Sequence, residues 1–283
     1  MKQEGPASKE KQQREMREIV LQYRYLDDIF MSIALHDKGT IKAVLDVIMG
    51  CDLEIRSVQA QDSVVNLYGH GVRFDVFASD AEGTQYDIEI QRAHAGADPK
   101  RARFNAAMID SRALGRGEKY RDLPRTVIIF ITEDDTLGDG LPIQHFHFTS
   151  DETGKQLQTG QEIIYVDSSC QEDTPLGSLM HDFHCRDARD IRNKQLAKRM
   201  EEIKTNETEV ARMCEAVEKY GDVRHEEGRR EGRKEGRKEG REEMRTETIR
   251  SLMENGFSIE RAFELLKVPT EEQKHLRVVL AEK

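Results

Sequence analysis

The sequence predicts an α/β fold: a mixed sheet flanked by helices, followed by a C-terminal helical extension. Three observations carry that prediction. Residues 72–91 alternate like two strands around a glycine turn. Residues 84–132 then run strand, helix, apolar strand, the order of a βαβ unit. Past about Arg189 the chain becomes charged and helix-like, with a four-residue Glu-Gly-Arg-Lys/Arg repeat.

The hairpin is the most specific of the three. Ala81-Glu82-Gly83 fits a three-residue turn whose last position is left-handed, a conformation that glycine adopts without strain. That turn pairs Asp80 with Thr84. Followed back along the ladder, it pairs Ala78 with Tyr86, Val76 with Ile88 and Phe74 with Ile90, an apolar face. The other face pairs Arg73 with Gln91, Asp75 with Glu89 and Phe77 with Asp87. Asp75 and Glu89 then become cross-strand neighbours, their Cβ atoms about 5 Å apart. Like charges so placed need compensation: a proton, a shared arginine, or a bridging divalent cation such as Mg²⁺ or Mn²⁺. A solvated face balanced by Arg73 and Arg92 is the plain alternative. Asp87, opposite Phe77 and nearer the turn, is expected at the rim.

The remaining elements follow in order. Residues 1–17 read as a disordered leader. A helix is expected over Ile19–Leu35, carrying Asp27 and Asp28, and a second over Ile41–Met49, stopped by Gly50. Strands are expected at Leu53–Gln59 and Ser63–Tyr68. Pro99 suits the first position of a helix, expected over Lys100–Leu114. TVIIFIT, Thr126–Thr132, reads as a buried strand parallel to the second hairpin strand, and Ile163–Val166 as one more. Lys194–Tyr220 reads as a polar helix. The glycines of the Glu227–Met244 repeat cost about 1 kcal/mol each in a helix, so a solvated, partly helical spacer is expected, with self-association along the glycine stripe as the alternative. Helix, turn, helix, turn, helix closes the chain. The expected organisation is thus leader 1–17, domain 18–190, polar helical linker 191–245 and small helical module 246–283.

Composition narrows function. Residues 18–190 hold 17 Lys+Arg against 30 Asp+Glu, a net of −13, whereas 191–283 hold 22 against 21. An acidic domain binds nucleic acid only through a local basic surface. Residues 100–125 provide one, with Lys100, Arg101, Arg103, Arg112 and Arg116 among eight basic residues against three acids. Arg101, Asn105, Arg112 and Arg116 fall on one side of a helical wheel. Carboxylates that hold a metal beside a cationic helix suit a phosphodiester substrate. No stretch has the length of a signal peptide or a membrane span, so a cytoplasmic protein is expected. Four scattered cysteines without a CxxC read as reduced thiols. His181, His184 and Cys185 hint at zinc but lack a second ligand pair.

GVRFDVFASDAEGTQYDIEIQ resembles the core of the PD-(D/E)XK nuclease family transposases, the Rpn-type recombination-promoting nucleases. YLDDIFM precedes it, and DPKRARFNAAMID, GEKYRDLPRTVIIFI and GDGLP follow in the family's order, then the EGRKEGRKEG tail. The resemblance covers roughly residues 22–245. It implies a restriction-endonuclease-like fold and Mg²⁺- or Mn²⁺-dependent endonucleolytic cleavage of DNA in transposition or recombination. By position it implies catalytic roles for Asp75, Glu89 and Gln91. The implied metal ligands are Asp75, Glu89, the Ile90 carbonyl and Asp27 or Asp28, with Asp28 chosen. Lys100, Arg101, Arg103, Arg112 and Arg116 are the expected DNA contacts, and the tail a means of homo-oligomerisation. Gln91 stands where the general superfamily pattern has Lys; the resembled family commonly has Gln there. A nuclease fold kept only for DNA binding or assembly is the alternative.

Overall fold

A computed structural model of the chain describes residues 6–60, 63–64, 72–92 and 94–281. The chain divides into two compact units, Met1–Val217 and Glu218–Lys283. The first opens with helices α1 (Pro6–Gln22), α2 (Asp28–Ala34) and α3 (Lys38–Met49). Strands β1 (Ile55–Ala60), β2 (Ser63–Val64), β3 (Val72–Arg73), β4 (Val76–Asp80) and β5 (Gln85–Gln91) follow. Then come α4 (Pro99–Ala113), β6 (Thr126–Thr132), β7 (Ile143–Phe146) and β8 (Gln161–Asp167). Helices α5 (Pro175–His184) and α6 (Lys194–Thr205) complete the layer, and α7 runs from Glu207 to Glu254.

Six strands form one mixed sheet in the order β1-β4-β5-β6-β8-β7, and β2 and β3 pair separately. β5, β6 and β8 are parallel, in register from Gln85↔Thr126 to Gln91↔Thr132. The expected strand–helix–strand unit is therefore present. Its helix starts as expected, with Pro99 in the first turn and Asp98 accepting the Lys100 amide at 2.7 Å. All seven residues of β6 are buried.

The hairpin keeps the expected register at its turn end. Ser79↔Gln85, Ala78↔Tyr86, Phe77↔Asp87 and Val76↔Ile88 are partners, and Gly83 has φ +87°. Asp80 Oδ1 accepts the Glu82 and Thr84 amides at 3.0 and 2.8 Å, fixing the turn. Beyond Val76 the expectation fails. The chain bends at Asp75, so Asp75–Glu89, Phe74–Ile90 and Arg73–Gln91 are not ladder partners. The bend places Phe74 on the same side as Phe77, ring centroids 5.6 Å apart, in the core cluster that α4 covers. Burying the Phe74 ring on that side stabilises the bend.

Other boundaries move as well. Within the span expected as leader, the chain is helical from Pro6; residues 1–5 lie outside the described residues. Lys, Gln, Arg and Glu are good helix formers, and no Pro or Gly interrupts them after Pro6. The single helix expected over 19–35 is split by a turn between α1 and α2. Of the strand expected at Ser63–Tyr68, Ser63–Val64 is a strand and the rest lies outside the described residues.

The first unit extends to residue 217, not 190. Leu196, Met200 and Ile203 of α6 are buried, and Tyr25 Oη donates to Leu196 O at 2.9 Å. Lys204 Nζ donates to the Leu21, Tyr23 and Arg186 carbonyls at 2.5–2.9 Å. In the expected spacer α7 is one continuous helix, and a Cβ added at Gly232, Gly236 or Gly240 would meet nothing within 4 Å. The second unit completes its own core with α8 (Ile259–Leu265) and α9 (Thr270–Ala281), around Ile249, Ala262, Phe263, Val268 and Leu276. Ser258 caps α8 as expected, accepting the Arg261 amide at 3.3 Å. Among the described residues no helix is long and apolar enough to cross a membrane.

Candidate metal centre

β5 sends Asp87, Glu89 and Gln91 to the side covered by α4. Asp87 and Glu89 are both fully buried. Asn105 of α4 donates to Asp87 Oδ2 at 2.8 Å and lies 3.4 Å from Glu89 Oε1. Gln91 Nε2 donates to Glu89 Oε2 at 3.3 Å, and Arg101 pairs with that same oxygen. Gln91 is held close to the chain: a Cβ on Gly96 would fall 1.8 Å from Gln91 Oε1. The segment carrying Gly96 is pinned by Tyr165, whose Oη donates to Ala97 O at 2.8 Å.

Asp75 reaches this cluster through the bend. Its carboxyl and that of Glu89 act on each other electrostatically. The residue is half-buried. Asp28, at the start of α2, adds its charge to Asp75. Asp27 is otherwise engaged: Oδ2 accepts the Arg24 amide at 2.8 Å and Oδ1 pairs with Arg92 at 3.1 Å. Of the two aspartates, Asp28 is the one whose charge is a main influence on Asp75. Ile90 carries the remaining expected ligand atom. Gln85 and Gln91 turn their backbone groups to the β6 side, so the Ile90 carbonyl between them points to the β4 side.

Burial and like charge dominate the electrostatics. Burial, then the Glu89 and Asp28 charges, hold the Asp75 carboxyl well above the usual carboxylate range. Burial lifts Asp87 to about 7 against the Asn105 hydrogen bond, and Asp75 adds to the rise. Burial and the Asp87 charge push Glu89 up to about 8. Such carboxylates ionise only with positive charge close by. Asp87 Oδ1 is buried without a hydrogen-bond partner. An all-oxygen donor set with one orphaned carboxylate oxygen fits a hard divalent cation.

Two expectations change. Asp87, expected at the rim, is as buried as Glu89, because α4 lies over its side of the strand. The basic helix face divides: Arg101 and Asn105 turn inward, while Lys100, Arg103, Arg112 and Arg116 are exposed. The apolar residues Ala102, Ala106 and Ile109 set which side of α4 packs, and Arg116 lies beyond its end. Arg112 stacks over Phe77, 4.3 Å from the ring centroid. Asn105 as a bridge between two carboxylates was not foreseen, although its place four residues after Arg101 was a usable signal.

The hinted zinc trio does not assemble. His184 lies 3.0 Å from the Ser168 carbonyl and 3.4 Å from Arg24. His181, Asp182 and Cys185 do cluster within 4.8 Å, but Asp182 is spent on the Arg192 and Asn193 amides, 2.8 Å each. The β5 acids do not close into a cage that tight; contacts through Glu89 link them. The four cysteines are free.

Residues 56–173 match the family model for the PD-(D/E)XK nuclease family transposase. That span contains Asp75, Asp87, Glu89, Gln91 and α4. No curated protein and no solved structure matches the chain. Match and topology agree: residues 56–173 are similar to the PD-(D/E)XK nuclease family transposases, and the six-stranded mixed sheet flanked by helices has the restriction-endonuclease-like form.

Proposed function

We propose that the chain is a metal-dependent DNA endonuclease that hydrolyses phosphodiesters in transposition or recombination. The observation that carries this reading is the fully buried Asp87–Glu89 pair held by Asn105 and Arg101, with an unsatisfied Asp87 oxygen and the Asp75 carboxyl interacting with Glu89. Asp75, Glu89, Asp28 and the Ile90 carbonyl would hold Mg²⁺ or Mn²⁺. Such an ion polarises a phosphate and lowers the pKa of a bound water. Gln91, fixed between Glu89 and Gly96, orients the attacking water by hydrogen bonding; being uncharged, it is no base. Lys100, Arg103, Arg112 and Arg116 are exposed and suited to DNA phosphates, which position the duplex without reading its sequence.

The test is plasmid cleavage in Mg²⁺ or Mn²⁺ by wild type, Asp75→Ala and Glu89→Ala. Equal cleavage by all three would sink the reading. A second reading, a nuclease fold kept for DNA binding or assembly, draws on the uncharged Gln91 and the open glycine stripe of α7. DNA binding without a calorimetric Mn²⁺ signal would favour it.

A further inference from the structure

Glu89 Oε2 receives two donors, the Gln91 amide and the Arg101 guanidinium. One is neutral and comes from β5. The other carries a permanent charge and comes from α4, ten residues later in the chain. Arg101 is held from three directions: by Glu89, by the Gly96 carbonyl at 3.0 Å, and by Phe130, whose ring centroid lies 5.9 Å from its guanidinium carbon. About a third of its side chain remains open, 35% by relative exposure. A guanidinium has five N–H donors, and these contacts use two of them.

We propose that Arg101 is the cationic catalytic residue of this site, supplying from α4 the positive charge that Gln91 does not supply from β5. The proposal rests on the nuclease reading above and gives it a further residue. Its role differs from that of a phosphate contact at the rim. Arg101 lies against the carboxylate that borders the scissile group, and its open edge meets the phosphate there. As water adds to phosphorus, giving its proton to solvent, and the bond to the leaving sugar oxygen breaks, that oxygen taking a proton from solvent, negative charge builds on the phosphoryl oxygens. A fixed cation stabilises that charge without taking a proton. Rim contacts of Lys100 or Arg103 act on DNA binding; Arg101 acts on turnover.

The test uses full-length protein with Mn²⁺. It compares kcat and KM for DNA cleavage, and Mn²⁺ affinity by calorimetry, in Arg101→Ala, Arg101→Lys and the double variant Arg101→Ala/Gln91→Lys. Arg101→Ala is expected to lower kcat about 100-fold, in the range of losing one preorganised donor, with KM changed less than about threefold. Mn²⁺ affinity holds or rises, since a competing cation has left Glu89. Arg101→Lys keeps part of the rate. Lysine at position 91 restores at least about tenfold in the Arg101→Ala background, a rescue that a purely structural arginine would not show. A loss confined to KM, a matching loss of Mn²⁺ affinity, or no rescue by lysine at 91 would each overturn the proposal. Asp75→Ala and Glu89→Ala keep the two failures apart. If they cleave like wild type, the nuclease reading falls. If they are inactive while Arg101→Ala turns over normally, only the role of Arg101 falls.

Discussion

Two buried glutamates lie near opposite ends of the same parallel strands and live in opposite environments. Glu162 opens β8 and is paired with Arg125 at 2.6 Å and His145 at 2.9 Å, with His147 at 3.7 Å. Burial alone would raise its pKa, but the His145 and Arg125 hydrogen bonds outweigh burial and hold it below the usual range. Glu89 nears the end of β5 among Asp75 and Asp87, and one guanidinium does not offset them: it rises to about 8. Burial raises both carboxyls; whether it wins depends on the partners. The partners decide. Glu162 is satisfied by protein and reads as structure. Glu89 is left with like charges that a ligand can relieve, which is why it is the functional-site candidate of the two.

The sharpest way to break this contrast is activity. Asp75→Ala or Glu89→Ala should lower DNA cleavage on the order of a thousandfold or more, whereas Glu162→Gln, assayed where it is folded, should stay within about fivefold of wild type. Comparable losses at both ends would erase the distinction.

Stability should move the other way. Glu162→Gln leaves the half-exposed Arg125 without its carboxylate, so at neutral pH its melting temperature should drop by roughly 2–4 °C. Because the folded pKa of Glu162 is depressed, this contribution is present above the ordinary carboxylate pKa and disappears as pH falls through the lower folded value. Glu89 has a raised pKa and the opposite sign. Its protonated form is fully compatible with the fold below pH 4.5, and stability is lost as pH rises through about 8. Metal-free protein should therefore melt progressively lower from pH 5 to pH 9, and Glu89→Gln should flatten that slope in thermal scans run with chelator. A steeper slope in Glu89→Gln would reverse the assignment.

The smallest expected effect concerns Gly96. Alanine there would drive Gln91 out of its place beside Glu89, because the new Cβ would meet the Gln91 Oε1 and Cδ atoms. Cleavage should fall about tenfold while melting shifts by no more than a few degrees, since only the end of a side chain must move. A cleavage rate equal to wild type would show that Gln91 need not stand there.

Much of the fold was legible because local chemistry specified it. Gly83 demanded a turn, alternation fixed Val76 opposite Ile88, Pro99 opened α4, and TVIIFIT declared a strand buried on both faces. The break at Asp75 was not legible, because it depends on α4 covering the side to which Phe74 turns. The same ignorance misplaced Asp87: a cross-strand phenylalanine says nothing about which helix lies above. β7 is a short, half-polar edge strand with no strong alternation, and α6 looked like linker because its three buried residues are widely spaced among charges. Asp75, Glu89 and Gln91 could be singled out from spacing and resemblance. Their electrostatics could not, since those arise from contacts between distant segments.

One small network has a consequence for assembly. Arg92 follows Gln91 and binds both Asp27 and Glu133, and Arg24 binds Glu133 at 2.6 Å. These four charges fasten the start of α2 to the ends of β5 and β6, and so deliver Asp28 to the acids. The centre is consequently a property of the finished domain, absent from any half-folded chain. A cation held there would bind the native state alone and raise its stability with the logarithm of concentration. The dependence of melting temperature on Mn²⁺ would thus count folded molecules in which helix and sheet have joined.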